Sequence, residues 1–148
     1  MYKRTHTCGE LNESSVGSQV RLNGWVNTSR LHGKIVFVDL RDRYGKTQLV
    51  FDEADFLEVF EKIKKLSTED VISISGIVKN RDKGAINPSL KTGEIEISVS
   101  DFSILNKAST LPFVLTDRNS SEEPLRLKYR YLELRFDELQ KNIFIRHN

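Results

Sequence analysis

One aromatic side chain in this sequence is placed to stack on a flat ligand. Residues 35–42 alternate in polarity, and Val36, Val38 and Leu40 form an unbroken apolar face that predicts the buried side of a strand. Phe37 then points to the opposite, outer side. Such a ring is a stacking platform, because every nucleic-acid base presents a π-face to it. The alternative is that long loops cover Phe37 as an outlying core residue, and the alternation leaves both interpretations open.

Polar side chains expected near Phe37 would add selectivity to stacking. We expect Gln48 to lie near Phe37 across the strand pair, where its amide supplies both a donor and an acceptor for a base edge. For Gln48 taken alone, a solvated strand residue is the simpler interpretation. Arg30 and His32 are expected in the loop that joins the first two strands, at the rim of the same face, where they could contact a phosphate or a base. A lone loop histidine is more often simply solvated.

A basic loop is expected to border this face. Residues 79–87 carry three basic side chains, among them Arg81 and Lys83, against one acidic residue. Basic loops beside an aromatic platform bind single-stranded nucleic acid: contacts to phosphates supply affinity, and contacts to bases supply sequence selectivity. Acidic residues concentrate instead between Asp52 and Glu61. The formal net charge of +2 therefore conceals a dipolar surface, one side of which is expected to face RNA.

Several other classes of chemistry are not expected. The sequence holds neither standard glycine-rich phosphate loop and no serine or cysteine in the setting of a nucleophile, so we expect no catalytic residue. Carboxylates such as Asp39 and Asp42 more often pair with arginines than act as an acid and a base. A single cysteine, Cys8, and three scattered histidines predict neither a disulfide nor a metal site. With no run of about 18 apolar residues, these features favour a cytoplasmic protein without a membrane span.

Five strands and one helix are predicted to carry these residues. Alternating polarity predicts strands over 19–27, 35–42, 46–51, 70–79 and 94–102, and short connections make the first three an antiparallel meander. Apolar residues at helical spacing from Phe56 to Leu66 follow the helix-start signals Asp52 and Asp55. The order β-β-β-α-β-β is that of a mainly β fold, the five-stranded OB-fold barrel.

The chain is predicted to divide into three parts. These are an OB-fold domain over residues 1–105, a linker rich in turn signals over 106–124, and a helical segment over 125–148. Ser121 is a candidate cap for this helix. An apolar stripe is predicted along it: Leu127, Tyr131, Leu134, Leu139 and Ile143. The helix has no partner in the sequence, which suggests the entry into a further domain.

Three blocks closely resemble the N-terminal anticodon-binding domain of bacterial-type aspartyl-tRNA synthetases. The first is Gly-Trp-Val-Asn at 24–27, Arg30, Gly33, Phe-Val-Asp-Leu-Arg-Asp-Arg-Tyr-Gly at 37–45, and Gln48. The second is Asn-Pro at 87–88 with Thr-Gly-Glu-Ile-Glu at 92–96, and the third is Leu-Arg-Leu-Lys-Tyr-Arg-Tyr-Leu-Glu-Leu-Arg at 125–135. The blocks keep the family's order and span nearly the whole chain. Lysyl and asparaginyl relatives match the first block less well.

The resemblance implies roles for particular residues. Phe37 would stack on the middle anticodon base, and Gln48 and Arg30 would contact anticodon bases. Glu96 would help to recognise the first base, a guanine or its modified form, since the N1–H and amino donors of guanine suit a carboxylate. Arg81 and the loop around Asn87 would support the same pocket. The sequence departs from the family at Thr28 and Ser29, where many members carry arginines, and at Ala85, where some carry a polar residue. These departures imply weaker binding of phosphates by both loops. His32 occupies a position that varies in the family.

The resemblance also implies a catalytic part beyond this sequence. Family motifs for ATP and aspartate are expected after residue 148, in a class II ligase that forms aspartyl-adenylate with ATP and Mg2+ and transfers aspartate to tRNA. The full protein is expected to be a homodimer acting on the tRNA for aspartate, which has a GUC anticodon. This chain would recognise rather than catalyse, and would need no cofactor itself. Two alternatives stay open: a sequence-tolerant single-strand-binding OB protein, and an OB module that joins protein partners.

Overall fold

The structure, a computed structural model, describes residues 3–115 and 117–147 in two compact units. The units are Met1–Ala108 and Ser109–Asn148. Neither contains, within the described ranges, a helix long and apolar enough to cross a membrane.

The first unit is a closed five-stranded barrel, as the alternation predicts. Its strands are β1 (Gln19–His32), β2 (Ile35–Arg41), β3 (Lys46–Asp52), β4 (Val71–Asn80) and β5 (Ile95–Asn106), in the order β1-β2-β3-β5-β4. Neighbouring strands are antiparallel except for β3 and β5, which run parallel and close the barrel. The predicted meander of β1, β2 and β3 is confirmed. Both β1 and β5 extend several residues beyond their predicted ends.

Alternating side chains of all five strands fill the barrel. On β2, Val36, Val38 and Leu40 are buried, as predicted, while the residues between them are half-buried on the outer side. Closure adds Leu49 and Ile97, which are Cα partners across β3 and β5 and are fully buried. Burial of apolar surface stabilises a fold by about 25 cal/mol per Å2. This shared core therefore fixes which residues of each strand face outward.

The predicted helix between β3 and β4 is much shorter than its apolar spacing indicates. Only Phe60–Lys64 forms an α-helix, α1. Asp52 caps a separate short 3-10 helix, Glu53–Asp55, by accepting a hydrogen bond from the Ala54 amide at 2.9 Å. The ring of Phe56 packs against Phe51 with centroids 5.6 Å apart, which draws the chain into the core before α1 begins. Leu57, one of the apolar residues at helical spacing in this segment, is exposed.

Short helices, rather than one predicted helix, make up the second unit. They are α2 (Glu123–Lys128), α3 (Arg130–Glu133) and α4 (Asp137–His147), and further 3-10 helices in the chain lie at Glu13–Ser15, Lys83–Ala85 and Arg118–Ser120. Glu122, not Ser121, occupies the N-cap position of α2. The Ser121 hydroxyl is buried and has no hydrogen-bond partner in the described part of the chain. The prediction of Ser121 as the cap is therefore wrong.

The apolar stripe predicted for the second unit is also wrong. Leu127, Tyr131 and Ile143 are exposed. The buried cluster of this unit consists of Phe113, Leu115, Leu132 and Phe136. Breaks at Tyr129 and between α3 and α4 interrupt the 3.6-residue period, so a continuous stripe cannot form. Phe113 and Leu115 come from the segment predicted as a linker, and they supply half of this cluster.

We predict that Gly76→Ala destabilises the barrel and that Gly84→Ala does not. A Cβ at Gly76 would meet the Ser98 carbonyl oxygen at 2.4 Å, so β4 and β5 would have to separate. A Cβ at Gly84 would meet nothing within 4 Å. Overpacking of this kind costs roughly 1–3 kcal/mol. Urea unfolding monitored by circular dichroism should give a lower free energy of unfolding for Gly76→Ala alone, and equal values for the two variants would contradict this packing.

Candidate nucleic-acid interface

Outward-pointing side chains of β1, β2, β3 and β5 form a continuous surface, which we call the outer face. Strand register arranges it in two rows. One row places Arg30 opposite Phe37, and Phe37 opposite Val50. The other row places Thr28 opposite Asp39, and Asp39 opposite Gln48. With Glu96 on β5, the outer face consists of Thr28, Arg30, Phe37, Asp39, Gln48, Val50 and Glu96.

Phe37 lies on the outer face and is half-buried. The alternation of polarity along β2 therefore predicts correctly that its side chain points outward. Gln48 does not lie directly opposite it. The register pairs Gln48 with Asp39, which makes Gln48 a diagonal neighbour of Phe37 one row away. Diagonal neighbours across a strand pair remain within reach of long side chains. Gln48 therefore lies near Phe37 across the strand pair, as predicted, but on the diagonal and not directly opposite.

A bulge in β1 brings Arg30 to the outer face. Val26 pairs with Leu40 and Thr28 pairs with Asp39, so Asn27 is an extra residue in the strand. Without it, Thr28 and Arg30 would continue the inward alternation of Val26, since side chains alternate with a period of two. Arg30 and His32 belong to β1 itself, not to a loop as predicted, because the pairing with β2 continues to the Gly33 turn. His32 is exposed at this strand end.

Two side chains that the sequence analysis did not single out as ligands hold the bulge. Arg41 donates from Nη1 to the Asn27 Oδ1 at 3.3 Å, and its Nη2 forms an ion pair with the buried carboxylate of Glu69. The Glu69 amide donates to the Val26 carbonyl at 2.8 Å. Glu69 also adopts a φ of 71°, a conformation that disfavours non-glycine residues. The strain at Glu69 is offset by its backbone hydrogen bond to Val26 and its ion pair with Arg41.

Barrel closure joins Gln48 to Glu96, although 48 positions separate them in the chain. Gln48 donates from Nε2 to Glu96 Oε2 at 3.1 Å. Gln48 is only 8% exposed, so it is not the solvated strand residue that its type alone suggested. Burial raises the pKa of Glu96, while the Gln48 hydrogen bond and the positive charge of Arg81 oppose that rise. The arrangement fixes one carboxylate oxygen and leaves the other able to accept from a ligand.

Arg81 is built into the loop between β4 and β5. Its side chain donates to two backbone carbonyls, from Nε to Ile95 at 2.9 Å and from Nη1 to Ala85 at 3.4 Å. Its third nitrogen, Nη2, is buried and has no hydrogen-bond partner in residues 3–115 and 117–147. Burial lowers the pKa of Arg81, and Glu96 and Asp39 oppose this through their charges. Arg81 thus differs from Lys83, which is exposed in the same loop.

Asn87 shapes the far end of this loop. Its Oδ1 accepts hydrogen bonds from the Ser89 amide at 3.0 Å and the Ser89 hydroxyl at 2.6 Å. The backbone N–H of Asn87 donates to the Gly93 carbonyl at 3.1 Å, which closes the turn. The Thr92 hydroxyl donates to the Lys46 carbonyl and ties the loop to β3. A contact between Asn87 and a ligand stays a prediction.

Sequence comparison assigns the barrel to a family. The tRNA anti-codon family, described as an OB-fold nucleic acid binding domain, matches residues 20–105. The chain belongs to this family. The match covers every residue of the outer face and all five strands except the first residue of β1 and the last residue of β5.

Two curated relatives resemble the chain over nearly its full length. The aspartate–tRNA(Asp/Asn) ligase of Oleidesulfovibrio alaskensis is 46% identical over 146 residues, which cover 99% of this chain and 24% of that protein. The protein of the same name from Salinibacter ruber is 49% identical over 97% of this chain and 24% of its own length. The chain therefore spans about a quarter of the length of these relatives.

Solved structures share the fold. Asparaginyl-tRNA synthetase from Pyrococcus horikoshii, complexed with asparaginyl-adenylate, aligns with a TM-score of 0.78 at 31% identity, over 91% of this chain and 29% of that one. An OBody bound to hen egg-white lysozyme aligns with a TM-score of 0.60 at 32% identity, over 72% of this chain and 97% of that one.

We predict that Gln48→Leu raises the pKa of Glu96 further. The substitution removes a hydrogen bond that stabilises the ionised carboxylate and keeps the site covered. Carboxyl carbon NMR shifts followed through a pH titration should show the upward movement. Gln19→Leu, at the exposed start of β1, is the matched control and should leave Glu96 unchanged. An identical Glu96 titration in the two variants would rule out the coupling.

Proposed function

We propose that the outer face binds the anticodon of a tRNA and that GUC is the anticodon it prefers. The observation that carries this proposal is the half-buried ring of Phe37 on the outer face, with Arg30 opposite it and the Gln48–Glu96 pair one row away. One stacking surface and several fixed hydrogen-bonding groups together suit a short single-stranded segment. Stacking supplies affinity for any base, and the polar groups distinguish one base from another.

Glu96 is the group best suited to a guanine. Each of the two carboxylate oxygens has two lone pairs, so Glu96 can accept from the N1–H and the adjacent amino group of a guanine while it keeps the hydrogen bond from Gln48. Since Gln48 occupies Oε2, the hydrogen bond orients the carboxylate before a ligand arrives. The proposal assigns Phe37 to the middle base and Glu96 to the first base, with Arg30 and Gln48 as further contacts. His32, exposed beside Arg30, is a peripheral contact in this scheme.

The loop between β4 and β5 supports the same ligand. Lys83 is exposed there and is assigned to the RNA backbone, because cations on loops neutralise phosphates without regard to sequence. The unpartnered Nη2 of Arg81 supports the proposal in a different way. A buried donor left unsatisfied costs about 1–3 kcal/mol. An acceptor on a bound nucleotide would satisfy it, and Asn87 would keep the loop in the required shape.

We further propose that the chain is the recognition part of a longer ligase that attaches aspartate to tRNA. The two curated relatives carry that name, and tRNA for aspartate is the partner it implies. We assign ATP, Mg2+ and the homodimer contacts to the remaining three quarters of such a protein, in the cytoplasm. Mg2+ prefers several oxygen ligands, and the described residues hold no group of three His, Cys, Asp or Glu side chains that could supply them.

The experiment that tests the proposal compares anticodon stem-loops bound by the 148-residue chain at fixed salt. One RNA carries GUC and the others differ by one anticodon base. Preference for GUC supports anticodon recognition. Equal binding to all would favour the sequence-tolerant alternative, and no binding would favour a module that joins proteins, as the OBody complex with lysozyme illustrates.

Two substitutions at Phe37 sharpen the same experiment. Phe37→Leu keeps an apolar side chain but removes the π-face, so it should weaken GUC binding by about 1–3 kcal/mol. Phe37→Tyr keeps the ring and should bind within about twofold of the wild type. Neither change reaches the core, because Phe37 lies on the outer side of β2. If Phe37→Leu and the wild type bind GUC equally, stacking on Phe37 is not part of recognition.

A further inference from the structure

Asp39 lies in the middle of the outer face and holds two side chains of β1. The Thr28 hydroxyl donates to Oδ2 at 2.6 Å. Arg30 Nη2 donates to Oδ2 at 3.2 Å and to Oδ1 at 3.3 Å. The carboxylate side chain is 20% exposed and the arginine side chain is 60% exposed. A largely covered anion thus anchors a largely exposed cation.

The β1 bulge makes this arrangement possible. Thr28 and Arg30 reach the outer face only because Asn27 shifts the alternation of β1 by one residue. Asp39 needs no such shift, since β2 alternates regularly from Ile35 to Arg41. Two neighbouring outward residues of the shifted strand therefore converge on one carboxylate of the regular strand.

A negative charge at Asp39 is unexpected on a surface proposed to bind RNA, because the phosphates of RNA are also negative. A carboxylate beside a stacking ring repels phosphates, and Asp39 stands one row from Phe37 on the same strand. Its charge also interacts with that of Arg81, in addition to the direct ion pair with Arg30. Specific interfaces commonly include a group that disfavours the wrong ligand as well as groups that favour the right one.

We propose that Asp39 is a positioning residue that holds Arg30 for a base edge and keeps it from pairing freely with backbone phosphates. The inference rests on the proposed function of the outer face. Arginine has five N–H donors in a planar fork, and Asp39 engages those of Nη2 only. Nη1 and Nε stay available in a fixed orientation. Without Asp39, the same guanidinium would be a mobile charge that any phosphate could attract.

Asp39→Asn tests the inference by removing the charge while keeping the shape. Arg30 is then released to neutralise a phosphate, which should tighten binding to a stem-loop lacking GUC by about threefold and steepen the salt dependence by about 0.7 in log–log slope. Binding to the GUC stem-loop should change by less than about twofold, because lost orientation offsets the gained charge. The preference for GUC therefore falls.

Asp101→Asn is the matched control. Asp101 is an exposed residue of β5 that pairs with Ser75 of β4, away from the outer face, and its substitution changes the net charge equally. It should leave both the GUC preference and the salt slope as in the wild type. If Asp101→Asn reproduces the effects of Asp39→Asn, a general charge effect explains them and the positioning role is overturned.

Thr28→Val provides a second test that leaves the charge in place. It removes the hydroxyl that donates to Asp39 and should lower the GUC preference without changing the salt slope. If Asp39→Asn does not fold, as judged by thermal unfolding, this variant decides the matter. An unchanged preference in Thr28→Val, or in a folded Asp39→Asn, overturns the inference.

The two proposals fail in distinguishable ways. If the wild type shows no GUC preference, the proposed anticodon recognition fails, and selectivity can no longer depend on Asp39. If the wild type prefers GUC and a folded Asp39→Asn keeps that preference, only the role of Asp39 fails. The salt slope is measured with either RNA, so it reports on the release of Arg30 in both cases.

Discussion

Closure of the barrel between β3 and β5 is the constraint on which the outer face depends. The parallel pairing of Leu49 with Ile97 buries both side chains and sends their neighbours outward. Gln48 and Glu96 consequently meet at hydrogen-bond distance, although they are remote in the chain. A one-residue slip would turn every such side chain toward the other surface, because the side-chain period of a strand is two. The apolar core therefore fixes the position of the polar groups that face a ligand.

The bulge in β1 is a departure from this regularity that lies at the candidate site, whereas two further register shifts lie between β4 and β5. Arg41 and Glu69 stabilise it from the two sides, at the expense of a left-handed backbone conformation at Glu69. Backbone strain of this kind persists where surrounding contacts over-determine it, and such places are frequently functional. Here the result is that Arg30 stands opposite Phe37. The bulge interrupts the regular alternation of β1, and the irregularity places the Arg30 side chain on the outer face.

Much of the fold follows from alternation, and Phe37 shows why. Three apolar neighbours on β2 are enough to place it outward, since core packing leaves no other choice. Arg30 was assigned to a loop because an extra residue in a strand has no signature in polarity. Glu96 was recognised by resemblance to a family, because its meeting with Gln48 depends on long-range closure. The second unit was the least predictable part, since Phe113 and Leu115 carry a packing role that turn signals concealed.

The most direct test of the account is to map where RNA meets the chain. Amide NMR spectra recorded while a GUC stem-loop is added would locate the contact residue by residue. The account predicts the largest shifts on the outer face and in the adjoining loop, at Arg30, Phe37, Glu96 and Lys83. Shifts confined to the opposite side of the barrel, around Ile77 of β4, or to α4 would contradict it.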